Sequence, residues 1–288
     1  KTRSSSAPTR DSPLAAMAAC APSPIPEPEL VGMLSGEPAR LVKCETNDLE
    51  VPADAEIILE GIILPDYKVE EGPFGEYTGY RTSPRDFRVT FRVNCITYRN
   101  NATMTISNMG VPQDEGQLLR SFSLGLELEK LLKSQGIPIT GVYMHPRSTH
   151  HMMIVGVKPT YSGIASQIAQ LAFGSKLGPW FHMVVVVDDK TDIYNWNEVY
   201  HALCTRCHPA NGIHIYKNTT GTPLYPFATP HERKHSIGSK VLFDCLWPLD
   251  WDPVNEVPTT VSFKSVYSQE IQDRVTSNWT AYGYPPVK

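Results

Sequence analysis

The chain has 288 residues, with 26 basic and 30 acidic side chains and a formal net charge of −4. This near balance, without a basic block or an arginine–aromatic stripe, excludes nucleic-acid binding as the main function. The length is sufficient to bury a sizeable core and predicts two domains. No apolar run reaches the roughly 18–20 residues that cross a bilayer, and no leader pattern opens the chain, so we expect a cytoplasmic protein without membrane partners.

Residues 1–13 are rich in Ser, Pro and Arg and predict a disordered lead-in. Because the sequence starts with Lys1, we interpret it as a piece of a longer protein or as one whose front half is missing. Residues 40–107 favour strands. Three segments are rich in β-forming residues: Leu41–Cys44, Glu56–Leu64 and Phe87–Cys95. In the third, apolar and polar residues alternate, which predicts one buried and one wet face in an antiparallel sheet or barrel.

From residue 113 the periodicity becomes helical. Asp114 is expected to cap a helix that ends near Gly136 and Pro138. The expected apolar side of this helix consists of Leu118, Leu119, Phe122, Leu126 and Leu132. Further strands are predicted at 139–145, 152–158, 181–187 and near 212–216, and helices at 163–173 and 195–206. This alternation is typical of an α/β layer arrangement.

The C-terminal region begins with a Pro-rich stretch, residues 247–258. A single amphipathic helix is predicted at 267–282, with Ile271, Val275 and Trp279 in line. We expect such a stripe to dock on the protein's own body or on a partner subunit.

Several motifs have a structural interpretation that we prefer. The segment CTRCH (204–208) matches the haem-attachment pattern, but it lies at a predicted helix end in a chain without an export signal. The acids at 188–192 follow a predicted strand and could bind magnesium, although acids between a strand and a helix are common without metal. His150 and His151 have no regular ligand spacing. No G-x-G-x-x-G sequence after a strand and no Walker A sequence occur, which argues against Rossmann and P-loop enzymes.

The segment EGPFGEYTGY (71–80) carries the strongest chemical signal. Glu71 and Glu76 flank a proline and two glycines, so the backbone between them must bend. If both carboxylates share a dry cavity, they do not ionise together easily, and the pKa of one rises towards neutrality. This arrangement would make a general acid. The alternative is a surface turn with two solvated acids.

This segment and six others resemble the UbiD family of non-oxidative decarboxylases, from about residue 14 to the end. The other segments are LVKCETNDL (41–49), VPADAEIILEG (51–61), NCITYRNN (94–101), TRCHP (205–209), GTPLYPF (221–227) and IGSKVLFDCLWP (237–248). Within the family, the sequence is most similar to the ferulic acid and hydroxyaryl acid decarboxylase branch.

The resemblance implies a carboxy-lyase that uses prenylated FMN, held through a divalent metal, usually Mn²⁺, and K⁺. Such enzymes release CO₂ from α,β-unsaturated or aromatic (phenolic) acids. The implied fold is α+β and α/β: the later half of a split β-barrel flavin domain (14–107), an α/β dimerisation domain (108–250), and a C-terminal linker and helix (251–288). The implied partners are a second copy of the chain, in a homodimer or larger homo-oligomer, and a prenyltransferase that supplies the cofactor.

The resemblance also implies residue roles. Glu71 would orient the site beside an arginine, and Glu76 would protonate the carbon after CO₂ leaves. Glu27 matches the metal-binding glutamate, with Glu29 as a rival, and Lys176 would contact the cofactor phosphate. The main chain around Ala18, Ala19 and Ala21 matches the potassium loop. The expected substrate pocket consists of Tyr77, Gly116, Arg120, Thr222 and Leu224, although Arg120 could instead be a solvated helix residue.

The family's catalytic arginine and two of its metal ligands, an asparagine and a histidine, lie upstream of the position that matches residue 14. Two hypotheses follow from this departure. The sequence is a fragment of a full decarboxylase, or it is a truncated, non-catalytic homologue that serves as an assembly or cofactor-chaperone subunit.

Overall fold

The computed structural model of the chain describes residues 2–6, 25–82, 84–104, 106, 109–111 and 113–286. It divides into two compact units, Lys1–Leu246 and Trp247–Lys288. Within the described ranges, no helix is both long enough and apolar enough to cross a membrane.

The first part of the larger unit is built from antiparallel strands, as predicted. Its elements are β1 (Thr2–Ser6), α1 (Glu27–Ser35), β2 (Leu41–Lys43), β3 (Glu50–Pro52), β4 (Ile57–Glu71) and β5 (Asp86–Tyr98). The three-stranded sheet has the order β1-β4-β5, and β2 pairs with β3. Strand β1 lies within the segment that we expected to be disordered. It forms because the backbone of Thr2–Ser6 pairs with Ile58–Ile62 along β4.

The expected buried face of β5 is not buried in this chain. Phe87, Val89 and Val93 are 59%, 51% and 40% exposed. The two clusters of buried apolar side chains lie entirely within residues 124–245, so neither of them covers this sheet. The alternation in the sequence therefore marks an apolar face correctly, but not a buried one.

The second part of the larger unit is a five-stranded mixed sheet with helices packed against it. Its elements are α2 (Glu115–Ser134), β6 (Ile139–Met144), β7 (Met152–Val157), α3 (Ile164–Gly174), β8 (Met183–Asp188), α4 (Trp196–Thr205), β9 (Ile213–Thr220), α5 (Pro230–His235) and β10 (Ile237–Asp244). The strand order is β6-β7-β8-β10-β9. The pairs β7–β8 and β8–β10 are parallel, and the two outer pairs are antiparallel.

This sheet is covered on both faces. Val184 and Val186 belong to a core cluster with α2 and α3, whereas Val185 and Val187 belong to a second cluster with α4. Alternate residues of β8 therefore enter opposite cores, as the pleat of a strand requires. Strand β10 lies beside β8 in the interior of the sheet, yet the sequence analysis predicted neither β10 nor α5.

Helix α2 begins at the predicted cap, but only part of its expected apolar side is buried. Asp114 and Gln117 form a capping box. Leu118, Phe122 and Leu126 are about half exposed, at 46%, 56% and 50%. The buried stripe is formed by Gln117, Ser121, Leu124, Leu128 and Leu132. These residues recur at intervals of three and four, so they face the sheet together.

The smaller unit contains two short helices, α6 (Phe263–Val266) and α7 (Gln269–Ser277). The predicted helix at 267–282 is therefore shorter than expected. Ile271 and Val275 are half-buried on α7. Trp279 lies beyond the end of the helix, where its ring stacks on Tyr284 at a centroid distance of 4.6 Å.

Candidate functional site

The EGPFGEYTGY segment forms a compact turn at the end of β4. It leaves the strand at Glu71 and passes through a cis peptide bond between Gly72 and Pro73. Gly72 has a φ of +84°, a backbone conformation that residues other than glycine rarely adopt. The amide of Glu76 donates to the carbonyl of Tyr80 at 3.0 Å, and the amide of Gly79 donates to the carbonyl of Glu76 at 2.9 Å, which closes the turn. The bend that the sequence predicts is therefore present.

Helix α2 holds this turn through Gln117. The buried side chain of Gln117 donates from Nε2 to the carbonyl of Tyr77 at 2.6 Å. The same side chain accepts from the amide of Asp114 through Oε1 at 3.1 Å. One residue therefore joins the start of α2 to the centre of the turn. A second anchor lies at Thr82, whose carbonyl accepts from Arg233 Nη1 at 2.9 Å.

The described residues do not form a dry site shared by the two glutamates. The Glu71 side chain is 55% exposed and pairs with Arg88 of β5, with 4.0 Å between Oε2 and Nε. Glu76 is half-buried in the turn. Arg88 was not predicted as the partner of Glu71, although the pairing of Glu71 with Asp86 places Arg88 close by. The catalytic roles of Glu71 and Glu76 stay predictions.

Arg120 lies beside the turn rather than free in solvent. Its guanidinium carbon is 5.8 Å from the centre of the Tyr77 ring and 4.7 Å from that of the Trp180 ring. The arginine is half-buried, and Tyr77 is only 7% exposed. Burial raises the pKa of Tyr77 to about 12, against the opposing effect of the Arg120 charge. The phenol is therefore neutral at pH 7, and Arg120 provides a cation on an aromatic surface.

A buried lysine holds the segment that carries Trp180, and this contact was not predicted from the sequence. The short 3₁₀ helix Gly178–Trp180 follows α3. Lys240 of β10 is 2% exposed and donates from Nζ to the carbonyls of Gly178 and Phe181, at 2.5 and 2.9 Å. Burial lowers the pKa of Lys240 to about 8. A lysine in the middle of a strand usually indicates a solvent face, so the sequence offered no clear signal for this contact.

The remaining residues predicted for the pocket are dispersed. Thr222 and Leu224 lie half-buried in the loop after β9, where the Leu224 amide donates to Thr222 Oγ1 at 3.3 Å. Gly116 is exposed in the first turn of α2.

Lys176, which is predicted to contact the cofactor phosphate, is exposed after α3. It lines a cavity of about 660 Å³ together with Gln170, Phe173, Gly174, Ser175, Pro179, Tyr216, Thr219 and Thr220.

The role of Glu27, or of its rival Glu29, as a metal ligand stays a prediction. Glu27 and Glu29 are both exposed in the first turn of α1. Among the described residues, no group of three or more His, Cys, Asp or Glu side chains is placed to hold a metal ion. The residues matched to the potassium loop, Ala18, Ala19 and Ala21, lie outside the described ranges.

Two of the other motifs have structural roles. Asp188 binds Arg206 at 2.9 Å and accepts from the Thr191 hydroxyl at 2.6 Å, which occupies both of its carboxylate oxygens. His208 Nδ1 accepts from the amides of Ala210 and Asn211 in the turn before β9. These contacts give Asp188 and His208 structural roles in the turns that follow β8 and precede β9.

A cluster of buried histidines adjoins Tyr77. The ring of Tyr77 lies 5.4 Å from that of His150 and 6.0 Å from that of His151. The ring of His182 lies 4.9 Å from that of His151. Burial lowers the pKa of His150 and of His151 to about 4, and that of His182 to about 3. All three rings are therefore neutral at pH 7. Their meeting depends on strand pairing, which local sequence does not reveal.

Two family models match this chain. One is the 3-octaprenyl-4-hydroxybenzoate carboxy-lyase Rift-related domain of UbiD, over residues 11–112, and the other is its C-terminal domain, over residues 117–245. Ferulic acid decarboxylase 1 of Saccharomyces cerevisiae is 30% identical over 273 residues, covering 91% of this chain and 54% of the yeast protein. Pyrrole-2-carboxylic acid decarboxylase of Pseudomonas aeruginosa is 27% identical, covering 94% of this chain and 57% of that protein.

Solved structures show the same likeness. The closed form of Sedimentibacter hydroxybenzoicus vanillic acid decarboxylase gives a TM-score of 0.80 at 28% identity, covering 93% of this chain and 56% of that one. The UbiD-class enzyme HmfF from Pelotomaculum thermopropionicum, in complex with FMN, gives 0.74 at 29% identity, covering 86% and 54%. The chain spans about half the length of these relatives. Both halves of its larger unit nevertheless match, and the chain belongs to the UbiD family of carboxy-lyases.

Proposed function

We propose that this chain forms part of a prenylated-FMN-dependent decarboxylase that acts on an aromatic (phenolic) or α,β-unsaturated carboxylic acid. The observation that supports this most is the placement of Arg120 between Tyr77 and Trp180, beside the turn that carries Glu76. A guanidinium binds a carboxylate with two parallel hydrogen bonds, and the neighbouring rings suit a planar substrate. In this proposal Arg120 receives the carboxylate.

Other residues near Arg120 supply the proton and position the turn. Glu76 holds the proton that replaces CO₂ on the substrate carbon. Gln117 fixes the position of Glu76 through the Tyr77 carbonyl. Glu71, paired with Arg88, orients the start of the turn. The roles of Gly116, Thr222 and Leu224 as pocket walls stay predictions.

Prenylated FMN, when bound, supplies the electron sink that decarboxylation requires. The cavity beside Lys176 suits its phosphate, because a lysine and the side chains of Gln170, Thr219 and Thr220 lie around it. The described residues include no group of three or more His, Cys, Asp or Glu side chains placed to hold a metal ion. We further propose the later half of a split β-barrel for residues 14–107, a homodimer, a prenyltransferase partner and a cytoplasmic location.

A second candidate is a non-catalytic subunit that assists assembly or carries cofactor. It is favoured by the isolated, exposed positions of Glu27 and Glu29. To test whether this chain is active by itself, the 288-residue chain is purified from cells that co-express a flavin prenyltransferase. Its visible spectrum is recorded, and CO₂ release from cinnamate and 4-hydroxybenzoate is measured with Mn²⁺ and K⁺. We expect weak flavin binding and no turnover from this chain alone. Turnover would exclude the non-catalytic candidate.

The substrate site is tested without turnover, by equilibrium binding of 4-hydroxybenzoate to the chain. Arg120→Ala is expected to weaken this binding at least tenfold, because a charge-assisted bond contributes about 1.5–3 kcal/mol. Arg274→Ala, at an exposed position on α7, is the matched control and should leave the affinity unchanged. Equal loss in both variants, or none in Arg120→Ala, would remove Arg120 from the site.

A further inference from the structure

The segment HERKH (231–235) is a motif to which the decarboxylase proposal assigns no task. It makes up most of α5, whose bounds are Pro230–His235. The sequence matches H-E-x-x-H, a pattern in which two histidines of one helix bind a zinc ion. Residues four positions apart lie on the same face of a helix, so the pattern brings His231 and His235 together. Because a pattern this short also occurs by chance, its geometry decides whether it can bind a metal ion.

The rings of the two histidines lie side by side at the surface. Both residues are exposed, and their ring centroids are 4.6 Å apart with an angle of 44° between the ring planes. A ring nitrogen binds zinc at about 2.0–2.1 Å, so two nitrogens on one ion are at most about 4.2 Å apart. The spacing of the two rings allows that separation. His231 and His235 therefore provide two nitrogen ligands within reach of one ion.

The backbone that carries the two histidines is held in place before any ion binds. Arg233, which stands between them in the sequence, donates hydrogen bonds of 2.7–3.0 Å to four main-chain carbonyls. These carbonyls belong to Thr82, Pro223, Pro226 and Ala228. A metal ion therefore does not need to order this helix, which lowers the free-energy cost of binding.

The glutamate of the motif has a structural task. In metal-dependent peptidases with this pattern, that glutamate is the general base. Here Glu232 Oε2 accepts from the Thr229 amide at 2.7 Å, and the Glu232 amide donates to Thr229 Oγ1 at 3.3 Å, which forms the capping box of α5. Among the described residues, no group of three or more His, Cys, Asp or Glu side chains is placed around a metal position. The motif therefore supplies two protein ligands, and water is left to fill the other coordination positions.

We propose that His231 and His235 form a two-histidine site for a divalent transition-metal ion of the nickel, copper and zinc group. Imidazole nitrogens suit these ions, whereas Mg²⁺ and Ca²⁺ prefer oxygen ligands. The site uses none of the residues to which the proposed decarboxylase assigns a catalytic or cofactor role. Its occupancy is measured without prenylated FMN and without turnover, so it stands or fails independently of that function.

The first test is isothermal titration of the untagged 288-residue chain with Ni²⁺ at pH 7.5. Ni²⁺ is chosen because cysteine thiolates select Zn²⁺ and Cu⁺ and compete less for it. One saturable site is expected. His231→Asn and His235→Asn should each weaken binding at least about tenfold, since losing even an outer-shell partner of a metal ligand costs about 10–100-fold.

The matched control is His201→Asn. His201 is exposed on helix α4, with Asn197 and Thr205 at the positions four residues away, so it has no partner histidine on its own helix face. This variant should bind Ni²⁺ as the unchanged chain does. Unchanged affinity in His231→Asn or His235→Asn, or an equal loss in His201→Asn, would overturn the proposal.

A second measurement needs no substitution. Diethyl pyrocarbonate modifies accessible histidines, and peptide mapping reports each position separately. Ni²⁺ should protect His231 and His235 together but leave His201 reactive, and Mg²⁺ should protect none of them. Equal modification of His231 and His235 with and without Ni²⁺ would show that the pair does not bind the ion.

Discussion

Lys240 of β10 donates a hydrogen bond of 2.9 Å to the carbonyl of Phe181, the residue that follows Trp180 and lies two positions before β8. The same ammonium donates to Gly178. A buried cation thus replaces the solvent that these two carbonyls would otherwise need. It also fixes the segment on which Arg120 rests.

Replacing Lys240 tests this role. We expect Lys240→Ala to reduce the free energy of unfolding by about 2–4 kcal/mol, because it leaves a cavity and two buried carbonyls without donors. Urea denaturation followed by circular dichroism measures the change. Lys217→Ala, at an exposed position on β9, is the control and should change stability by less than about 0.5 kcal/mol. Similar values for the two variants would contradict a structural role for Lys240.

Stability should fall on mild acidification. His150, His151 and His182 have their pKa lowered by burial to about 4, 4 and 3, below the ordinary value of 6.5. The unfolded chain therefore binds protons that the folded chain does not. The contribution is complete above pH 6.5 and is lost progressively as the pH falls from 6.5 towards 4, by up to about 1.4 kcal/mol per pH unit for each ring.

The measurement is urea denaturation at several values between pH 7.5 and 5, where most carboxylates stay ionised. His182→Phe should reduce the dependence on pH, whereas His201→Gln, on the exposed side of α4, should retain it. A free energy of unfolding that is constant between pH 7 and pH 5 would show that these rings are not buried in the neutral form.

The Gln117 side chain makes two hydrogen bonds, and two different substitutions separate their contributions. Gln117→Glu keeps an acceptor for the Asp114 amide but loses the donor to the Tyr77 carbonyl. Gln117→Ala loses both contacts. We expect both variants to open the turn at 71–80 to proteolysis, because each loses the donor to the Tyr77 carbonyl. If Gln117→Glu resists proteolysis as the unchanged chain does, the Tyr77 contact does not hold the turn.

Glu76 should be essential for turnover but not for cofactor binding. In a catalytically competent form of the protein, Glu76→Gln is expected to abolish decarboxylation while flavin absorbance is retained, since the amide keeps the shape but donates no acidic proton. Glu70→Gln, an exposed neighbour in β4, is the control. Near-normal CO₂ release by Glu76→Gln would remove this residue from the mechanism.

Local signals predicted where two helices begin. Asp114 caps α2 as the sequence indicates, and Asn195 caps α4. Burial was harder to predict, because the apolar positions Phe87, Phe122 and Leu126 stay exposed. Periodicity identifies an apolar face, but what covers that face depends on tertiary packing.

Strand β10 was missed for a related reason. Its residues Gly238, Ser239 and Lys240 lack the pattern of a buried strand, although Lys240 is one of the most buried residues in the chain. The contacts of His151 with His182 and of Gln117 with Tyr77 join segments distant in sequence. Composition and spacing carry no information about such pairs, whereas the bend in EGPFGEYTGY is encoded locally and was predicted.

Strand β8 places consecutive valines, Val184 to Val187, in two different cores. Most strands leave every second position free to vary, because one face meets solvent. This strand has no such position in its centre, so random mutagenesis should tolerate almost no polar residue along it. Natural variation in this region should instead be confined to interchange among Val, Ile and Leu, which makes β8 a reliable anchor for aligning distant relatives.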